Sequence, residues 1–244
     1  MKKFRTDVEA EARQNVARLF EECPDSTDIK LDNFPKYVGR QRLKRFLALY
    51  EIFKRAMPVK GSIVECGVFK GFGLMSWAKL SAMLEPENFT RRIYGFDTFE
   101  GFTALSDKDN NPVANPEPRA LFADSSEELQ KLVVEYDKDR FIGHMPKVQL
   151  VPGNAVETIP KFAQDNPHLM ISLLFLDFDL FEPTRIAIET FVPRMPKGAI
   201  IAFDELDNPM WPGETMALQE TLGINRLRLE RIEWDPYIGF AAIE

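Results

Sequence analysis

From Gly61 onward, short apolar runs rich in β-branched and aromatic residues alternate with stretches of helical periodicity. That rhythm narrows the possible folds more than any other feature. The runs are 62–67 (SIVECG), 92–97 (RIYGFD), 147–153 (KVQLVPG), 171–179 (ISLLFLDFD), 198–205 (GAIIAFDE), 226–234 and 239–244. The central runs are apolar at nearly every position, as expected of strands covered on both faces of a parallel sheet. Helices fit 72–84, 125–139, 155–165, 183–193 and 213–222. The alternation predicts an α/β fold: a doubly wound, mostly parallel sheet of seven strands, Rossmann-like, with ligands at the carboxyl ends of its strands. No helix separates the last two runs, so they predict a C-terminal antiparallel hairpin around Asp235-Pro236. Upstream, 4–22 and 40–57 place apolar residues, Phe4 among them, at helical spacing, with breaks at Pro24 and Pro58. The expected division is an N-terminal helical extension, 1–57, and a ligand-binding domain, 58–244. The stretch 103–123, rich in Pro, Asn and charge, reads as a long loop, and such loops beside a ligand site are often lids.

Composition removes several classes. A chain of 244 residues, 45% hydrophobic and 28% charged, can bury a full core. It matches neither collagen, coiled coil nor a disordered chain. No run of about 18 apolar residues exists, so no membrane span is expected. The charged N-terminus lacks the apolar core of a signal peptide. Cys23 and Cys66 make neither a disulfide framework nor a zinc cluster, so a reduced, cytoplasmic protein is expected. A formal net charge of -7 argues against non-specific nucleic-acid binding.

The first chemical signal is the turn after the first strand, Glu65-Cys66-Gly67-Val68-Phe69-Lys70-Gly71-Phe72-Gly73. Its glycines let the backbone approach a ligand, and the following helix directs free N–H groups to the same place. The second strand ends in Asp97, an acid placed to hold a ribose diol. Together they suggest an adenosine-bearing cofactor. The NAD fingerprint G-x-G-x-x-G is absent. The spacing Gly67, Gly71, Gly73 also occurs in short-chain dehydrogenases. The Tyr-x-x-x-Lys pair those enzymes need downstream exists here only upstream, as Tyr50 and Lys54. The pattern Glu65-x-Gly67-x-x-x-Gly71 resembles that of class I methyltransferases, whose loop wraps S-adenosylmethionine.

The second signal is a set of carboxylates. The fourth run delivers Asp177 and Asp179, the fifth Asp204 and Glu205, with Asp207 close behind. Neighbouring parallel strands would gather Asp177, Asp204 and Glu205 at one edge of the sheet. Such a cluster is costly unless a cation or protons neutralise it. Oxygen-only ligands suit Mg²⁺ or another hard divalent cation.

These segments carry a family resemblance. GSIVECGVFKG, IYGFDTFEGF, LDFDLFEPT and PKGAIIAFDE, in that order, resemble the macrocin O-methyltransferase family, which methylates sugar hydroxyls in antibiotic biosynthesis with S-adenosylmethionine and Mg²⁺. The resemblance implies a cofactor site of Glu65, Cys66, Gly67, Gly71, Asp97, Thr98, Phe99, Asn154, Ala155 and Asp177. It puts the ribose on Asp97, with Thr98 and Phe99 beside the cofactor. Asn154 would face adenine, though an ordinary helix N-cap fits it equally well. The metal ligands would be Asp177, Asp204 and Glu205, where Glu205 departs from the second aspartate common in the family. Asp177 or Asp179 is the expected base. His144 and His168 lie at the wrong ends of their strands, and Trp211 and Phe181 read first as packing residues. The implied partner is a small sugar or glycoside acceptor, with association of copies through the N-terminal helices an option. Two other readings stand beside it: methylation of a catechol-like phenol, and a nucleotide-binding module without chemistry.

Overall fold

Strands that are apolar at nearly every position are best satisfied between two layers of helix, and that is where the chain puts them. The structure, a computed structural model, describes residues 6–110, 117 and 120–244. It forms two units, Met1–Leu47 and Ala48–Glu244.

The first unit holds α1 (Asp7–Glu22), α2 (Thr27–Asp32) and the opening of α3 (Arg40–Ala56). Thr6 and Glu9 close the start of α1 as a reciprocal capping box. Phe20 and Tyr37 meet edge to face at 4.9 Å. No residue of α1 or α2 is buried. Phe4, expected in the first helix, lies outside the described residues. The short α2 was not expected: its six residues are too few for a periodic signal.

In the second unit the strands are β1 (Ser62–Cys66), β2 (Ile93–Asp97), β3 (Val148–Pro152), β4 (Ile171–Leu176), β5 (Ile200–Phe203), β6 (Glu230–Arg231) and β7 (Gly239–Ala242). The helices are α4 (Phe72–Leu84), α5 (Ser126–Asp139), α6 (Ala155–Asp165), α7 (Phe181–Phe191) and α8 (Gly213–Thr221). The sheet order is β3-β2-β1-β4-β5-β7-β6. β1 to β5 run parallel, and β7 pairs antiparallel with β5 and β6. The doubly wound sheet with its terminal hairpin is thus present. Every residue of β1, β4 and β5 is buried. The run 226–234 gives only the two exposed residues of β6, because residues 224–226 form a 3₁₀ turn and the strand is an edge.

The order reverses direction between β1 and β4, which opens a crevice at their carboxyl ends. There the Asp177 N–H donates to the Cys66 carbonyl at 2.7 Å, and the Asp204 N–H donates to the Leu176 carbonyl at 2.9 Å. Gly67, at φ 98°, lies so close that a Cβ would stand 1.9 Å from the Asp177 carbonyl oxygen. Neither the conformation nor the space admits a side chain. Gly67→Ala is therefore expected to destabilise the protein by more than about 2 kcal/mol, from backbone strain plus a main-chain clash. Urea denaturation checks this; an unchanged midpoint would contradict it.

Candidate active site

The carboxyl edge is built around the Asp97 side chain. Its Oδ2 accepts from the N–H groups of Val68 (2.8 Å) and Phe69 (2.7 Å), and its Oδ1 accepts from Phe99 N–H (2.7 Å). A carboxylate has about four acceptor positions, so the backbone fills most of them and ties the glycine turn to β2. Two residues of this clasp, Phe69 (φ 51°) and Phe99 (φ 57°), hold the left-handed conformation that side chains disfavour. Gly71, at φ 82°, precedes α4 as its N-cap. The Ser125 hydroxyl donates to the Phe69 carbonyl at 2.5 Å, which seats the start of α5 over the same turn.

Other expected cofactor residues are placed as follows. Glu65 is buried, and its Oε1 lies where a Cβ on Gly73 would come within 1.9 Å, against the first turn of α4. A carboxylate there faces the positive end of the helix. The Cys66 side chain is fully buried in the core, and burial with Glu65 and Glu214 nearby pushes its thiol well up. The Thr98 hydroxyl donates to the Gly101 carbonyl at 2.7 Å. Phe99 is buried. Asn154 caps α6, its Oδ1 accepting from Val156 N–H at 3.2 Å, with Ala155 buried beneath.

The acids gather at the ends of β4 and β5. Asp179 is buried in a left-handed turn (φ 62°). Burial, then the charges of Glu205 and Asp204, holds its carboxyl well above the usual range. Asp177, partly exposed, precedes it. Asp207 does not join them: it is exposed, and its N–H donates to the Thr215 hydroxyl at 2.9 Å. The turn after β5 swings it outward. Among the described residues no three of His, Cys, Asp and Glu are grouped so as to hold a metal ion.

Two contributors escaped the sequence reading. Glu214, at 0% exposure, accepts from Asp179 N–H at 3.3 Å and from Glu205 N–H at 3.1 Å. It thereby bridges the two acid-bearing turns. Burial, then Asp179 and Asp204, raises its carboxyl well above the ordinary value. The second is Asp109, buried within the long loop. Its Oδ1 accepts from Phe181 N–H at 2.6 Å, so it serves as a remote cap for α7. Beside it Lys108 pairs with Glu220 and sits 3.8 Å over the Phe181 ring. Residues 107–109 of the expected lid thus dock on α7 and α8, while its residues 111–116 and 118–119 lie outside the described residues. Trp211 meets Phe102 edge to face at 5.8 Å. His144 and His168 are both exposed and away from this edge. Only an acid at the start of α8 hinted at Glu214, and first-turn acids are common on any helix.

Glu214→Ala would leave two backbone N–H groups without acceptors. Its expected cost is roughly 2 kcal/mol or more, read by urea denaturation. Stability equal to that of the parent protein would show that the bridge carries nothing.

The comparisons with known proteins agree with this edge. The family model described as macrocin-O-methyltransferase matches residues 10–231. A crystal structure of CalS11, a calicheamicin methyltransferase, superposes with a TM-score of 0.93 at 32% identity, over 98% of this chain and 93% of that one. The apo structure of CalS11, described as a TDP-rhamnose 3'-O-methyltransferase in calicheamicin biosynthesis, gives 0.85 at 31% identity, over 98% and 95%. The O-methyltransferase NovP shares the fold, with a TM-score of 0.63 at 18% identity over 82% and 79%. No curated protein sequence matches the chain. With a family model spanning nearly its whole length and a glycine turn and acids at the edge where that fold works, the chain belongs to the macrocin O-methyltransferase family and is an S-adenosylmethionine-dependent O-methyltransferase.

Proposed function

We propose that the protein methylates a hydroxyl of a sugar or glycosylated natural product, as a step in antibiotic biosynthesis, and that it does so with a divalent metal. The observation that carries the acceptor class is the near full-length likeness to CalS11, described as a TDP-rhamnose 3'-O-methyltransferase. The acids at the ends of β4 and β5 support the metal. Their donors are all oxygen, which fits a hard cation such as Mg²⁺, and their mutual repulsion is what a cation relieves. Asp177, Asp204 and Glu205 would hold it, and it would supply acidity to an acceptor hydroxyl.

The chain's own residues then have a short list of tasks. The turn from Glu65 to Gly71, with Asp97 to Phe99, Asn154 and Ala155, holds the methyl donor. Asp97 acts twice: it shapes the glycine turn through Val68 and Phe69 and keeps acceptor capacity for a ribose hydroxyl. Methyl transfer is a single in-line displacement, in which the carbon–sulfur bond breaks as the oxygen–carbon bond forms. Alignment is therefore the main contribution of the protein. Asp177 or Asp179 takes the hydroxyl proton from its position at the end of β4. The exposed apolar residues Val8 and Leu19 of α1 support association between copies.

Calorimetry with S-adenosylmethionine should show binding that Asp97→Ala weakens roughly 10- to 100-fold, the loss of hydrogen bonds to a charged acceptor. Binding unchanged by Asp97→Ala would remove that residue from the site. Methyl transfer to TDP-rhamnose should fall on adding EDTA, return with Mg²⁺, and fall again in Asp204→Ala. Activity that survives EDTA and Asp204→Ala would remove the metal from the mechanism but leave the methyltransferase reading intact.

A further inference from the structure

At the opposite edge of the sheet, below the amino ends of β1, β2, β3 and β4, lies a cavity of about 610 Å³. That volume lies within the range of small-molecule sites. Its lining includes Lys60, Arg92, Lys147 and His168 and, among the described residues, no Asp or Glu, in a chain whose net charge is -7. The bases are not equally committed. Arg91, next in sequence, is fully employed: it pairs with Glu85 at 2.9 Å and donates to the Met57 and Val59 carbonyls at 2.9 and 3.0 Å. Arg92 forms no ion pair among the described residues, and its side chain makes no hydrogen bond there. Lys147 is only 5% exposed, and among the described residues its ammonium donates to a single acceptor, the Asn88 carbonyl, at 2.5 Å. Burial pushes its amine down to about 8, and the charges of Arg140, Arg91 and Arg92 act in the same direction. Glu85 opposes them, but that carboxylate is already held by Arg91.

A desolvated ammonium beside an unpaired guanidinium is costly in an empty protein and favourable around an anion. Arginine's planar fork and lysine's point charge are the usual holders of phosphate. The walls add an apolar surface in Phe89 (51% exposed) and Met170 (44% exposed). We propose that this cavity binds a phosphorylated small molecule, with the phosphate on Arg92 and Lys147 and the body of the ligand on Phe89 and Met170. The site is separate from the methyl-transfer edge and does not depend on that reading.

The probe is inorganic pyrophosphate, titrated calorimetrically into the full chain in the presence of EDTA and saturating S-adenosylhomocysteine. The expected result is one site, weakened at least about tenfold by Arg92→Gln and by Lys147→Met and unaffected by Asp204→Asn. Absence of binding at about 10 mM would overturn the proposal. So would binding that Arg92→Gln leaves intact, or binding lost in Asp204→Asn, which would place the anion at the acid edge. Should Lys147→Met fail to fold, the partly exposed and unpaired Arg92 decides the matter alone.

Discussion

The pairing of β1 with β4 is the contact on which the rest of the site depends. The bond from Asp177 N–H to the Cys66 carbonyl ties the last residue of β1 to the first residue beyond β4, and Gly67 lets the two chains close up beyond it. Because side-chain direction alternates along a strand, this one register sets which way Glu65, Cys66 and Asp177 point. Cys66 goes to the core, and Glu65 goes beneath α4. The Asp97 clasp depends on it in turn, since the amides it binds belong to the turn that leaves β1.

The molecule also separates its charges along the strands. At the carboxyl edge burial and the charges of Asp204 and Glu205 raise the proton affinity of Asp179 and Glu214. The amino edge collects Arg91, Arg92 and Lys147. Each edge answers its repulsion differently. Glu214 spends its oxygens on backbone amides and fixes the spacing of two turns. Glu85 neutralises Arg91 and, among the described residues, leaves Arg92 without an ion pair.

The strand and helix order was legible because the central strands are buried on both faces and the helices carry a strong period. Helices α4 and α6 fall on the expected bounds. Edges were less legible. β6 shrinks to two residues because an edge strand needs no apolar pattern to hold it. Asn154 was open between a cap and a ligand contact, and its side chain is seen capping α6. Asp207 looked like a member of the acid group by proximity in sequence, yet a left-handed turn (φ 58°) carries it to the surface.

By itself the sequence determined the doubly wound sheet, the glycine turn, the acids at strand ends and, through ordered motifs, the family. Those features are local or periodic, so they are written in neighbouring residues. Only the tertiary structure decided that Asp97 clasps the glycine turn, that Glu214 ties the acid turns together, that Asp109 caps α7 from within a distant loop, and that Arg92 stands unpaired beside a buried Lys147. Each of these joins groups far apart in the chain. A carboxylate or a cation carries no mark in the sequence of which backbone or charge it will face once the strands are in register.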